Sequence, residues 1–447
     1  MSQTKPAPTL SSELLLGIDI GTSGIRGVIV EKTPNTNPAP APLASASVPM
    51  PFPNRQGPNS EQTADLWVQT LNQLFEALSE TGYFPHVTRM ALDATSSTVL
   101  LGNRQRQAWT QALMYDDKRA TEAAERIRQF APSDTAAHGA SSTLAKVMWL
   151  EKHALNGRQS HEAVIFHQLD WVNAYLTGRC GITDENNALK LGYDPIHQAW
   201  PNWLNDLTGL PLPQVVPPGT PIGGVLPDVA SRYGFTPELT VYSGTTDSIA
   251  AFLASGASEI GDAVTSLGST IALKLLSDKP VFAPEYGIYS HRLWNQWLVG
   301  GASNAGGAVL LKYFSLETLK TLIPRLQTDK PTGLDYYPLA NSGERFPIND
   351  PTLAPKVDPR PDSDERFLQG LLEGLVEIEA LGYARLHELG GPEAKRIFTT
   401  GGGIQNDAWM TLRQQRFDGE IIPMKNADAA LGVTRLLQVD DSKPHGD

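Results

Sequence analysis

The alternation of apolar and polar positions becomes regular at Leu14. An apolar run over residues 14–20 ends in Gly21-Thr22-Ser23-Gly24, and a second run over 25–30 follows at once. This predicts a β-hairpin with a glycine-bounded turn. Trp67, Leu71, Leu74, Phe75 and Leu78 recur at helical spacing, and a strand-like segment over 87–92 follows them. Further helical stretches are predicted near 116–130, 145–155 and 169–176. Prolines cluster at 211–227 before a strand over 239–242, which leads into Gly244-Thr245-Thr246-Asp247 and a small-residue helix over 248–254. Strands and helices in this order predict the α/β class. The first thirteen residues are polar and proline-containing and predict a flexible tail, while the proline-rich stretch 33–42 predicts a surface loop.

Residues 261–276 (GDAVTSLGSTIALKLL) again read strand, turn, strand, with Gly268-Ser269-Thr270 at the tip. The echo of Gly21 to Gly24 is loose. Two similar halves around one ligand would produce it, and two ordinary hairpins, the simpler reading of this pattern alone, would do so as well.

Composition narrows the class without naming a reaction. A chain of 447 residues predicts two or three domains at about 150 residues each. Its single cysteine, Cys180, cannot form an intramolecular disulfide, which points to a reducing cytoplasm. With 36 Lys+Arg against 48 Asp+Glu the formal charge is −12, which argues against nucleic acid or an anionic membrane as a partner. Any phosphate must therefore be held locally. No run reaches the roughly 18 apolar residues of a membrane-spanning helix, and the start lacks the apolar core of a signal peptide. Nothing implies an obligate protein partner.

Several segments could carry chemistry. The Gly21 to Gly24 tip offers backbone N–H groups and the hydroxyls of Thr22 and Ser23, a concavity suited to phosphate oxygens. Asp19 just before it would repel phosphate directly but fits a magnesium ion or its water shell. A glycine turn with a capping aspartate reads equally from the residues. No GxxxxGK[ST] occurs, which excludes a P-loop. Thr399-Thr400-Gly401-Gly402-Gly403 lies between a strand over 396–398 and a helix beginning near Asn406. Three glycines there would let a ligand press on the backbone, with Trp409 offering an aromatic face; glycine also serves plain tight turns. Asp247 lies at a helix start, which would favour its charged form, as a base or simply as a cap. The nine histidines show no metal-ligand spacing and read as surface or core residues. Asp116 and Asp117 would diverge on a regular element and read as a solvated face.

Taken in order, these segments resemble the FGGY family of carbohydrate kinases, within the actin-like ATPase group. GIDIGTSGIRGVIV resembles that family's opening phosphate hairpin. EQTADLW (61–67), YDDKR with Tyr115 in place of the usual Trp, and SSTLAKVMWLEKH with Lys146 and Trp149 are similar to its motifs. DWVNAYLTGRCGITDENNA, GTTDS, SLGST, NSGERFP and TTGGGIQND follow in the family's order. A second signature near Glu373-Gly374-Leu375 is only partly present.

The resemblance implies two ribonuclease H-like (actin-like ATPase) domains with the active site in the cleft between them. A sugar-binding domain would span 14–254, joined by the last helix at 428–447, and an ATP-binding domain would span 255–427. ATP would be the phosphoryl donor and Mg2+ the metal. Asp247 would be the general base, Asp19 would lie near magnesium and the reacting hydroxyl, reaching the metal through water, and Thr22 would meet the transferred phosphate. Gly268, Ser269, Thr270, Gly402, Gly403 and Asn406 would line the ATP site, with Trp409 beside the adenine. After the third strand, where glycerol kinases carry Arg-Glu and xylulokinases Met-His, this chain has Asp93-Ala94-Thr95-Ser96-Ser97. That segment, with GTTDSIAAFLASG, is similar to the cyanobacterial and plant D-ribulose kinases. The sugar would then lie against Asp19, Ser23, Gly24, Ile25, Arg26, Ser96 and Asp247, and the products would be D-ribulose 5-phosphate and ADP. The alternatives are a kinase for xylulose, L-ribulose, ribitol or glycerol, and an actin- or Hsp70-like module switched by ATP.

Overall fold

The computed structural model describes residues 13–33, 41–424 and 428–438. Most of the expected tail and proline-rich loop, and positions 439–447 of the expected last helix, lie outside the described residues. The chain divides into two compact units, one formed by Met1–Gly256 with Asp428–Asp447 and the other by Ala257–Ala427. Among the described residues no helix is long and apolar enough to cross a membrane.

In the first unit β1 (Leu14–Ile20), β2 (Gly24–Glu31) and β3 (Ala44–Pro49) form an antiparallel meander. β4 (Val87–Ala94) runs parallel to β1 on its other side, and β5 (Pro221–Gly224) and β6 (Thr240–Thr246) complete the order β5-β6-β4-β1-β2-β3. β1 is buried at all seven positions, as expected of a near-continuous apolar strand covered on both faces. Helix α1 (Ala64–Ser79) turns Trp67, Leu71, Leu74, Phe75 and Leu78 inward, and its leucines pack over the bare Gly27 of β2. A smaller antiparallel sheet (Asn54–Gln56, Asn59–Gln62, Ala112–Leu113, Val99–Gly102, Val164–His167) has its own core beneath helix α2 (Thr143–Ala154).

The helix expected from 116 begins only at Thr121, because the chain before it is held by side-chain bonds. Asp117 is fully buried, accepting from the Arg119 guanidinium and, at 2.6 Å, from the Ser60 N–H. It is therefore no part of a solvated face, although Asp116 does diverge from it to pair with Arg55 at 2.9 Å. His167 is a core histidine, bonded to Asp170 and Thr183.

Helix α3 (Asp247–Ala254) follows β6, and the C-terminal helix, Ala429–Val433, is a short element capped by Asp428 and continued by a 3-10 turn. A Cβ on Gly17 would lie 2.0 Å from the Ala430 carbonyl oxygen, and one on Gly432 would lie 1.9 Å from that of Ala250. Only glycine lets this helix press backbone to backbone on both β1 and α3.

The second unit repeats the plan. β7 (Asp262–Leu267) and β8 (Ile271–Ser277) form a hairpin, with β9 (His291–Leu293) and β10 (Gln296–Ala302) added antiparallel. β11 (Arg396–Thr400) runs parallel to β7 as β4 does to β1, and β12 (Glu420–Pro423) lies parallel beyond it. Helices α4 (Gly307–Tyr313), α5 (Asp364–Glu388) and α6 (Asp407–Arg416) accompany this sheet. A fully buried pair joins them: Arg413 of α6 grips both oxygens of Glu379 of α5 at 2.7 Å. Thr265 of β7 donates to the same carboxylate at 2.6 Å, and Arg413 reaches Thr399 of β11 at 2.7 Å.

Removing one partner strands the other charge in the core. Arg413→Met is therefore expected to lower unfolding free energy by about 3–5 kcal/mol in urea titration. A loss below about 1 kcal/mol, the range of an exposed pair, would show that the network does not hold the unit together.

Candidate active site

The first unit gathers its candidate residues where the central strands end. Asp19, next to last in β1, stands in register with Asp93 on the parallel strand β4, so the two carboxyls share a face. Thr245 of β6 is the register partner of Asp93 on the other side, and Asp247 opens α3 directly after that strand. Asp247 is half-buried and its Oδ1 accepts from the Ser248 N–H at 2.6 Å; Thr246, not Asp247, occupies the cap position. Asp428, at the head of the C-terminal helix, adds a fourth carboxyl to the field. Arg26 faces Asp19 across the hairpin, 3.6 Å away and largely in solvent.

Burial dominates the electrostatics. It pushes the Asp19 carboxyl up to about 6, with Asp247 and Asp428 adding to the rise and Asp93 and Arg26 opposing it. Asp93 is fully buried and held well above the usual carboxylate range, first by desolvation and then by the charges of Asp19 and Asp247. Neither of its oxygens receives an N–H or hydroxyl hydrogen bond, so a protonated Asp93 donating to Asp19 is the arrangement that satisfies both groups. Asp93 was legible only as part of a sequence segment. Its pairing with Asp19 comes from strand register across 74 positions of chain.

The hairpin tip is closed by Gly21 N–H to the Gly24 carbonyl at 3.0 Å and braced by Met50 N–H to the Ser23 carbonyl at 2.8 Å. Thr22 and Gly24 are half-buried and Ser23 is exposed, so the tip is accessible. Ile25 is not: it is fully buried, with its side chain in the core and turned away from the tip. Ser96 is half-buried in the turn after β4, beside Ser97, whose backbone is left-handed at φ 69°.

In the second unit a cavity of about 490 Å3 is bordered by Gly268 and Ser269 from the β7–β8 tip and by Gly402, Gly403 and Asn406 after β11. Gly401 has φ 88° and approaches the Leu267 carbonyl, so a Cβ there would lie 2.6 Å from its oxygen. Thr270 is exposed and does not line the cavity. Trp409 borders it but is only 1 % exposed, packed beneath Gly403, so it supports the floor and does not present the open aromatic face expected. Asn406 uses its Oδ1 to cap α6, accepting from Trp409 N–H at 3.1 Å.

The wall formed by Gly307, Leu310 and Leu311 of α4 was not singled out from sequence, although the Gly306-Gly307 pair before a helix was its signal. The loop leading to it is fixed by Glu344, which accepts from Ser303 Oγ at 2.6 Å and Asn304 N–H at 2.7 Å. Among the described residues no cluster of three or more His, Cys, Asp or Glu could hold a metal. Asp19, near the end of β1 beside the hairpin tip, fits a magnesium ion carried by phosphates, which needs one or two carboxylates and keeps several waters.

Two hairpin-led α/β units, one with carboxyls at its strand ends and one with a glycine-bordered cavity, have the fold of two-domain sugar kinases. Residues 14–254 match the N-terminal domain, and 263–437 the C-terminal domain, of the FGGY family of carbohydrate kinases. The chain belongs to that family and is a carbohydrate kinase. A xylulose kinase of Bacillus subtilis (strain 168) is 23% identical over 94% of this chain and 87% of its own length. Among solved structures, a xyloylose kinase from Brucella ovis superposes with a TM-score of 0.83 at 22% identity, covering 95% of this chain and 90% of the other. Plasmodium falciparum glycerol kinase with ADP gives 0.80 at 16% identity, covering 96% and 91%.

Burial holds the Asp93 carboxyl well above the 3.8 at which it ionises once unfolded, so folded stability falls as pH rises above that value. Asn in its place removes the proton linkage. The melting temperature of Asp93→Asn relative to wild type is therefore expected to be more favourable at pH 8 than at pH 5. A difference independent of pH would refute the buried protonated carboxyl.

Proposed function

We propose that this sugar kinase transfers the γ-phosphoryl group of ATP to the 5-hydroxyl of D-ribulose, giving D-ribulose 5-phosphate and ADP. The observation that carries the reading is the placement of Asp247 at the first turn of α3, in the same carboxyl field as Asp19 at the end of β1. Asp247 takes the hydroxyl proton as the sugar oxygen forms its bond to phosphorus and the bond to the ADP oxygen breaks. A loose phosphoryl-transfer transition state asks mainly for alignment and charge stabilisation, so a carboxylate is base enough. Thr22 and the Gly21 to Gly24 tip meet the transferred phosphate, and Asp19 orients the hydroxyl. Magnesium on the nucleotide phosphates, with Asp19 reaching it through water, would supply neutralising charge. In the second unit Gly268, Ser269, Gly402, Gly403 and Asn406 border the nucleotide, which fits the ADP named for the Plasmodium falciparum structure.

The choice of sugar rests on the turn after β4. Ser96 brings a half-buried hydroxyl to a place with neither Met-His nor Arg-Glu, and with Arg26 and Asp19 it offers donors and acceptors to a short ketose. D-xylulose is the second reading, favoured by the xylulose kinase named among the relatives.

With Mg-ATP and a panel of D-ribulose, D-xylulose, L-ribulose, ribitol and glycerol, ADP release is expected to be highest with D-ribulose. Turnover confined to D-xylulose would transfer the assignment to that sugar, and equal turnover of all pentuloses would remove it. Asp247→Ala is expected to cut sugar-dependent ADP release by roughly 10²–10⁴ while sparing nucleotide binding. Undiminished turnover in that variant would rule out Asp247 as the base.

A further inference from the structure

Lys146 is a fully buried lysine that no step of the reaction uses. It lies on the first turn of α2, a helix capped by Ser142, whose Oγ accepts from Ala145 N–H at 3.2 Å. Its Nζ donates to two backbone carbonyls from separate segments, that of Ser97 and, at 2.9 Å, that of Met114. Each of these residues is the chain neighbour of an accessible side chain. Ser97 follows Ser96, and Met114 precedes Tyr115, which is 43% exposed.

Both segments need holding. Ser97 keeps a left-handed backbone, which a non-glycine residue holds only where its surroundings impose it. Its Oγ is also engaged, by the Ser141 carbonyl and Thr143 Oγ1, both at 3.0 Å, so the turn is fastened to the start of α2 from two sides. The Met114 segment is fastened from the other direction. Met114 N–H donates to the Ser60 carbonyl at 2.9 Å, and Asp117 is gripped by Arg119. Arg119 also pairs with Glu61 at 2.6 Å and lies over the Trp149 ring of α2 at 4.9 Å. Lys146 is the point at which these two braced segments meet.

We propose that Lys146 is a positioning residue for the sugar, joining the Ser96–Ser97 turn to the Met114–Tyr115 segment so that Ser96 and Tyr115 keep a fixed separation around the substrate. This rests on the sugar-kinase reading and adds to it a determinant that does not touch the sugar. The amine suits the task. Burial pushes it down to about 7, Asp117 and Asp116 opposing the fall and Lys190 adding to it, and charged or neutral the amine has at least two N–H groups for two carbonyls. An apolar side chain would take the Lys146 donor from both buried carbonyls, leaving that of Met114 with only the Asp117 N–H at 3.0 Å.

The test compares Lys146→Met, which removes both donors, with Lys146→Gln, which matches Met in length, one atom short of lysine, and keeps two N–H donors. Each variant is checked for cooperative melting and assayed as the full chain. For Lys146→Met the KM for D-ribulose is expected to rise at least tenfold, the KM for ATP to stay within twofold, and the preference for D-ribulose over D-xylulose to shrink. Lys146→Gln is expected to fall between it and wild type. A folded Lys146→Met with wild-type sugar KM and preference overturns the proposal, as does a parallel rise of both KM values. Should the Met variant not fold, an unchanged sugar KM in Lys146→Gln overturns it and an intermediate one supports it. Wild-type protein that turns over no sugar of the panel fails the D-ribulose reading itself, whereas wild-type turnover with unchanged variants fails this inference alone.

Discussion

The arrangement of the first unit depends on one close approach, that of the C-terminal helix to β1 and α3 through Gly17 and Gly432. With carbonyl oxygens about 2 Å from where a Cβ would be, no other residue fits without moving a backbone. The consequence reaches the chemistry. Asp19 is next to last in the strand that this helix contacts, Asp247 opens the helix it contacts, and Asp428 caps the contacting helix itself. A segment that ends the chain thus helps fix the spacing of carboxyls contributed by its first strand and its middle.

That spacing sets a cost which the fold answers by protonation. Carboxyls brought together away from water cannot all ionise, and burial outweighs the weak, solvent-exposed pairing of Asp19 with Arg26. Asp93 is the most deeply buried and is held furthest from ionisation, which leaves it able to donate to Asp19. The second unit meets the opposite problem. Its cavity borders are built largely from glycine and apolar side chains, and two of its buried charges, Glu379 and Arg413, neutralise each other inside the core. The formal charge of −12 therefore describes neither site. It argues against broad polyanion binding, and any phosphate would be held by local N–H groups and hydroxyls.

Family motifs that look catalytic in a linear reading divide, in the structure, into groups at the site and groups that brace it. Glu61, Asp117, Arg119 and Trp149 form one interlocked set beneath the Met114 segment, and Glu344 holds the loop before α4. Lys146 belongs with them by burial, and its two carbonyl partners are what connect it to the substrate side.

The α/β class and the hairpins at Gly21 to Gly24 and Gly268 to Thr270 were legible in the sequence, because apolar runs and glycine turns are local signals that the backbone obeys locally. The glycines after β11 and the aspartates at strand ends were legible as candidates for the same reason. Exposure was not. Ile25 and Trp409 lie beside accessible residues in sequence yet point into cores, and Asp117 looks solvated beside Asp116 yet is fully buried. Side-chain direction depends on which neighbouring strand or helix covers a residue, and that neighbour is distant in the chain. The same holds for Asp93, which became a partner of Asp19 only through strand register, and for Lys146, whose two carbonyls lie 49 and 32 positions away. The sequence by itself determined the elements and the chemical types available. Packing between distant segments decided which of those groups meet, which are shielded from water, and hence which protonation state each one holds.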